Sequence, residues 1–320
     1  MSQKYRQDEI SERYAQPFRS VARTIASLYP DARTSKRKIR KAAETWFRLF
    51  RKPFSRYCIY PEVLLVGASK CGTSSMANHL SSHPDCMAPF YKEIRYFDSS
   101  SIPANRLDEY RAHFPTRIRR RLKEWLSGRN AWTADFSPTY YDHPHAPKRV
   151  LEVLGPDVKL IMLVRNPVDR AYSQYRFQRG IGNEPVEDFE KALALERQRL
   201  AGEEARQQVD AGYFSRRINH FGYLTRSLYL PYIKNWHQHF HPTQLHVVRL
   251  EDFIKSPQPV FDEICDFIGV PHHTISQNVH NASRMEEHMS PHTRAKLVEF
   301  FQRHNREMGE YLGRDFNWDW

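Results

Sequence analysis

The sequence predicts an α/β fold, a three-layer arrangement in which a central parallel sheet is flanked by helices. Two segments carry most of that reading. Val63 to Val66 and Val158 to Val164 are uninterrupted apolar runs, as expected of parallel strands buried on both faces. Each runs straight into a polar turn and the start of a helix, and strand-like and helix-like stretches alternate through the rest of the chain. With 320 residues, 40% of them apolar and 13% aromatic, the chain can bury a core of this size.

Taken in order, residues 1–58 read as a basic amphipathic N-terminal extension and residues 59–320 as the catalytic domain. The net charge of +12 is unevenly spread: residues 1–60 hold 15 Lys and Arg against 5 Asp and Glu, the remaining 260 hold 34 against 32. A nearly neutral body excludes nucleic acid as its partner. Between Lys36 and Lys52 the apolar residues Ile39, Ala43, Trp46 and Phe50 recur at helical spacing amid Lys and Arg. Residues 34–52 are therefore expected to lie on an anionic membrane surface, to grip an acidic glycan or to pack on the domain, with Pro53 ending the helix. No apolar stretch is long enough to span a bilayer, and MSQKYRQDEI has no secretory hydrophobic region. Four cysteines without C-x-x-C spacing suggest a reducing compartment, so the expected location is cytoplasmic, peripheral at the inner membrane surface if the extension binds it.

Beyond the first strand, Asp85 to Pro89 is expected to form a short second strand. Residues 105–127 read as helix, with Tyr110, Phe114, Ile118, Leu122 and Trp125 inward. Further strands are expected at Ala131 to Phe136 and Leu245 to Arg249. Helices are expected at His145 to Leu154, from Pro167, through Ser215 to Phe240, at Gln258 to Ile268 and at Pro291 to Leu312.

The chemistry concentrates in Val63 to Ser75, VLLVGASKCGTSS. A buried strand that turns through Gly67 and Gly72 into a helix opening on Thr73, Ser74 and Ser75 forms a P-loop-like phosphate cradle: backbone N–H groups and the helix dipole converge on one anion. The ATP and GTP version places a lysine directly after the second glycine. Here Thr73 holds that position and the lysine, Lys70, lies inside the loop, which suits a shorter 5′ group than a triphosphate. A second segment, Arg165 followed by Asn166-Pro167 and a helix bearing Ser173, offers a forked donor and a hydroxyl to another phosphate. It sits at a strand's carboxyl end, where open α/β sheets bind ligands.

Together these segments resemble the sulfotransferases that use 3′-phosphoadenosine 5′-phosphosulfate, and most closely the branch acting on heparan-type glycans and its bacterial relatives. Lys92-Glu93, Tyr96-Phe97-Asp98, Ser137-Pro138-Thr139-Tyr140, Gly222-Tyr223 and the closing Gly313 to Trp318 fall in the family's order. The resemblance implies that Lys70 to Ser75, including Cys71, hold the 5′-phosphosulfate and that Arg165 and Ser173 grip the 3′-phosphate. It implies further that Arg284 covers the cofactor phosphates, that Lys70 neutralises charge on the leaving oxygen, and that Glu93 is the general base. Asp135, Ser137, Tyr140 and His143 are the expected acceptor-side residues, the acceptor being a carbohydrate, glycolipid or small molecule. The product would be adenosine 3′,5′-bisphosphate, with no metal required. Three departures point away from heparan itself: no cysteine in His280 to Met289, Phe136 where a lysine often stands, and Phe177 where N-sulfating members carry histidine. A P-loop kinase or NTPase and a non-catalytic membrane or glycan binder are the alternatives.

Overall fold

The computed structural model describes Thr24, Ser27, Leu28 and residues 32–98, 106–276 and 289–318. Four strands, β1 (Val63–Gly67), β2 (Ala134–Phe136), β3 (Lys159–Val164) and β4 (Leu245–Arg249), form one sheet in the order β2-β1-β3-β4. β1 is buried at every residue and β3 at all but its first, the reason their sequences carry no polar alternation; β2 is also fully buried but carries Asp135 at its centre. β3 and β4 run parallel, with Leu160 opposite Leu245 and Val164 opposite Arg249. The chain divides into two compact units: residues 1–64, 80–96 and 102–137, and residues 65–79, 97–101 and 138–320.

In the first unit, helix α1 (Ala32–Phe50) packs Ile39, Ala43, Trp46 and Phe47 on the unit's own core and leaves Leu49 and Phe50 exposed at its end. Ile39 and Ala43 are buried, Trp46 stacks on Phe90 at 4.9 Å between centroids, and Phe47 stacks on His113 at 4.4 Å. Burial, and then the charge of Arg51, push the His113 pKa down to about 3, so it packs as a neutral ring. The helical stretch expected over residues 105–127 is two helices, α3 (Leu107–Ala112) and α4 (Arg117–Ser127). Pro115 is the cause: it has no N–H to donate and bars helical geometry from Phe114, and Thr116 then caps a new helix by accepting from Arg119 N. The break re-aims α4. Tyr110 and Phe114 are buried as expected, but Ile118, Leu122 and Trp125 face outward, at 75, 53 and 79% exposure. Asp85 to Pro89 is not a strand; its pairing is limited to one parallel bridge, Cys86 to Trp132, before Pro89 removes a donor.

The second unit holds α2 (Thr73–Ser82) through His79, then α5 (Ala146–Leu154), α6 (Pro167–Gly180), α7 (Phe189–Arg199), α8 (Glu203–Val209), α9 (Arg216–Phe221), α10 (Tyr229–His237), α11 (Leu250–Lys255), α12 (Pro257–Ile268) and α13 (Pro291–Leu312). Pro167 opens α6 as expected, with Asn166 capping by accepting from Val168 N. Tyr172 and Tyr175 of α6, Phe189 of α7, Tyr223, and Leu297 and Phe301 of α13 form one apolar cluster. The long helix expected from Ser215 to Phe240 is broken after Phe221, because the buried Glu196 carboxylate accepts from Leu224 N and Thr225 N at 2.8 and 2.9 Å and holds that stretch out of helical register. Among the described residues no helix is long and apolar enough to cross a membrane.

Candidate functional site

β1 ends in a loop whose shape depends on its two glycines. A Cβ on Gly67 would lie 2.6 Å from Tyr141 Cβ, and one on Gly72 would lie 2.5 Å from Leu250 Cδ1. Gly72 also has φ of 81°, a region that strains any side chain. The helical ladder of α2 starts only at Met76 N, which donates to Gly72 O at 3.1 Å, so the amides of residues 72–75 lie outside it at the positive end of the helix. Ser75 Oγ is buried there with no hydrogen-bond partner. A turn whose amides lie outside the helical ladder, with an orphaned buried hydroxyl at a helix N-terminus, fits a bound phosphate. Lys70, in the left-handed region at φ 73°, carries its ammonium 3.9 Å from the centroid of the Phe177 ring on α6, a cation–π contact.

The Arg165 segment leaves the sheet at the same edge, since Ala68 N donates to Leu163 O at 2.7 Å. Arg165 and Ser173 are half-buried, and the Arg165 guanidinium makes no hydrogen bond or ion pair with another described residue. Asn166 is fixed beneath it: its N–H donates to Glu251 Oε1 at 2.8 Å, while Trp318 Nε1 donates to Glu251 Oε2 at 3.2 Å. The closing Gly313 to Trp318 stretch thus ties the chain's last described residues to the start of α6.

Three residues not singled out in the sequence brace the loop after β1 from distant parts of the chain, and one of them, Tyr229, also reaches Arg165. Tyr229, buried on α10, donates to Arg165 O at 2.9 Å, and its Oη lies 3.5 Å from Cys71 Sγ, so one phenol touches both segments. Burial raises its pKa well above the usual phenol value and likewise raises that of the Cys71 thiol, which packs rather than reacts. Arg170, wholly buried, donates to Ser69 O at 3.2 Å and to Gly222 O at 3.0 Å. Arg226, at 1% exposure, forms a two-pronged ion pair with Asp142 at 2.5 and 3.1 Å. No local pattern announces such partners; only the fold brings them to the loop. The Asp142→Ala variant, which leaves the Arg226 charge buried and uncompensated, is expected to lose roughly 3–5 kcal/mol of stability. Urea denaturation checks this, and a loss below about 1 kcal/mol would mean that water reaches the guanidinium.

In the first unit, Glu93 has φ 62° and is held to the end of β2 by its N–H, which donates to Phe136 O at 3.0 Å. Its half-buried carboxylate makes no ion pair or hydrogen bond with another described residue, so it is not consumed by Lys92 or Arg95. Asp135 and Ser137 are fully buried: Ser137 Oγ donates to Asp135 Oδ1 at 2.7 Å and accepts from Arg95 N at 3.1 Å, while Tyr110 donates to Asp135 Oδ2 at 3.2 Å. Here both carry the backbone on which Glu93 and Arg95 sit. In the second unit Tyr140 and His143 are also buried, Tyr140 edge-on to Phe97 at 5.4 Å. Arg284 lies outside the described residues.

The sheet and its loop define an α/β protein with a glycine-turned loop, and a half-buried arginine at Arg165, at the carboxyl ends of β1 and β3. The sulfotransferase domain profile matches residues 60–318, and the chain belongs to that family of enzymes. It is 24% identical over 323 residues to the membrane-associated sulfotransferase kil1 of Dictyostelium discoideum, covering 81% of this chain and 66% of that protein. It is 28% identical over 223 residues to the bifunctional heparan sulfate N-deacetylase/N-sulfotransferase 1 of Xenopus tropicalis, covering 66% of this chain and 22% of that one. The chain thus spans just under two thirds of the first relative and under a quarter of the second. The crystal structure of a sulfotransferase from Alicyclobacillus acidocaldarius superimposes with a TM-score of 0.58 at 26% identity, covering 81% of this chain and 99% of that one.

Proposed function

We propose that the protein transfers the sulfuryl group of 3′-phosphoadenosine 5′-phosphosulfate to a hydroxyl or amine of a carbohydrate, glycolipid or small-molecule acceptor. The observation that carries this reading is the loop itself: a phosphate cradle with Lys70 inside it and Thr73 where a triphosphate-binding loop needs lysine. The cofactor supplies an activated sulfuryl group on its 5′-phosphate. Amides of Gly72 to Ser75 and the Ser75 hydroxyl hold that phosphate, and Arg165 with Ser173 holds the 3′-phosphate that separates this cofactor from ADP. As the bond from sulfur to the bridging oxygen breaks, Lys70 neutralises the charge left on that oxygen. Glu93 takes the proton from the acceptor as its oxygen or nitrogen joins the sulfur, and adenosine 3′,5′-bisphosphate leaves. Such an in-line displacement depends on positioning and charge stabilisation more than on covalent help.

The names of the relatives, a heparan sulfate enzyme and a membrane-associated one, support a glycan or glycolipid acceptor. The profile's start at residue 60 supports a catalytic domain over 59–320 behind an extension over 1–58. Four free, buried cysteines suit a reducing cytoplasm. The first test is a thermal-shift comparison of adenosine 3′,5′-bisphosphate with ADP and with ATP plus magnesium. At about 100 times its dissociation constant the bisphosphate is expected to stabilise the protein by about 2.7 kcal/mol. A response to ATP with magnesium alone would overturn the cofactor assignment in favour of a kinase or NTPase.

A further inference from the structure

Helix α4 (Arg117–Ser127) is amphipathic in the reverse sense to an ordinary surface helix. None of its eleven residues is buried. Its polar face holds it to the first unit: Arg120 pairs with Glu62 and, at 2.9 Å, with Glu124, whose carboxylate also accepts from Ala131 N at 3.1 Å. Its apolar stripe, Ile118, Leu122, Trp125 and Leu126 at i, i+4, i+7 and i+8, points away from the unit, with Leu126 at 70% exposure. Exposed Arg117 and Arg121 border the stripe on one side and exposed Arg119 on the other, and the only acidic residue of the helix, Glu124, is committed to Arg120. Four large apolar side chains on one stripe exceed the scattered exposed residue that any soluble protein tolerates.

The segment beside the start of α4 continues the pattern. Ile59 N donates to Pro115 O at 2.9 Å and Cys58 bridges antiparallel to Thr116. That segment exposes Phe54 and Tyr57 next to exposed Lys52 and Arg56, with the Arg56 guanidinium 4.7 Å from the centre of the Tyr57 ring. We propose that α4, with the adjoining Phe54 to Tyr57 turn, is a docking face for an anionic lipid surface, the apolar stripe entering the headgroup boundary and the flanking arginines pairing with lipid phosphates. The layout of the helix is that of an interfacial helix, and the charge selects the lipid. α1, the more basic stretch of the sequence, offers less apolar surface, because Ile39 and Ala43 are buried and Trp46 and Phe47 stack on Phe90 and His113, leaving Leu49 and Phe50 exposed at its end.

The test is sedimentation of the full chain with phosphatidylserine–phosphatidylcholine vesicles against pure phosphatidylcholine vesicles, at low and at about 0.5 M salt. The expected result is binding to the anionic vesicles that weakens with salt. It should fall at least about 100-fold in the Ile118→Ser, Leu122→Ser, Trp125→Ser triple variant. The Arg117→Glu, Arg119→Glu, Arg121→Glu variant should lose the preference for anionic vesicles. Because these side chains are exposed, both variants should keep the bisphosphate thermal shift and the activity on a soluble acceptor, which separates this proposal from the catalytic one. Unchanged vesicle binding in the triple variant overturns the proposal. So does a wild-type chain that ignores vesicles and dimerises through this face, shown by light scattering that turns monomeric in the triple variant.

Discussion

The Lys70→Met variant is expected to lose about 10²- to 10³-fold in kcat, the usual scale for deleting one donor that meets charge developing in a transition state. The adenosine 3′,5′-bisphosphate thermal shift should shrink, because the lost ammonium also faces the 5′-phosphate, but it should not vanish, because the rest of the cradle is held by other residues. Gly67 and Gly72 are set by close contacts with Tyr141 and Leu250, Ser69 O is held by Arg170, and Cys71 is held against Tyr229. Methionine keeps the length of the chain and removes only the charge. Lys70 now sits 3.9 Å from the Phe177 ring centroid, which keeps the ammonium on the apolar surface of α6, where a charge acts more strongly than in bulk water. Arginine is not a conservative replacement here, since its planar fork is longer and cannot sit as a point charge on one bridging oxygen. Initial rates at saturating donor check the prediction. Activity within about threefold of the parent would remove Lys70 from the chemical step.

What the sequence revealed and what it hid divide along one physical line. β1, β3 and the turn after each were legible because a parallel strand buried on both faces leaves an uninterrupted apolar run, and because Gly67, Gly72 and Pro167 each mark a backbone shape by themselves. The candidate donors of the two loops, Lys70 with residues 72–75 and Arg165 with Ser173, were legible because they are local in sequence. The clamp behind them was not. Tyr229, Arg170 and Arg226 reach the loop across up to 158 positions of sequence, and a buried tyrosine or arginine has no periodic signature. Asp135 and Ser137 showed their polarity in the sequence but not their burial, nor the hydrogen bonds that tie them to Arg95 N and Tyr110. α4 failed for a subtler reason. Its apolar spacing was read correctly, but spacing fixes only that a stripe exists, and the break at Pro115 decided which way the stripe points.

Glu93 stands between these cases: its identity came from its neighbours in sequence, and its local state came from the fold. The Glu93→Gln variant is expected to lose about 10²- to 10⁴-fold in kcat, the range contributed by a positioned proton acceptor. Glutamine matches glutamate in shape, so the φ of 62° and the bond from the residue's N–H to Phe136 O are unaffected, and no ion pair with a described residue is broken. Stability should therefore stay within about 0.5 kcal/mol of the parent, as for most substitutions away from packed or paired groups. Bisphosphate binding should also persist, because the cradle, Arg165 and Ser173 all belong to the other unit. Glu93→Asp should recover part of the rate, limited by the shorter reach of its carboxylate. Rate, stability and bisphosphate shift measured together make the result decisive. A large loss of rate alone assigns the proton to Glu93. A loss of all three makes Glu93 a structural residue, and a variant as fast as the parent sends the search for the base to another residue.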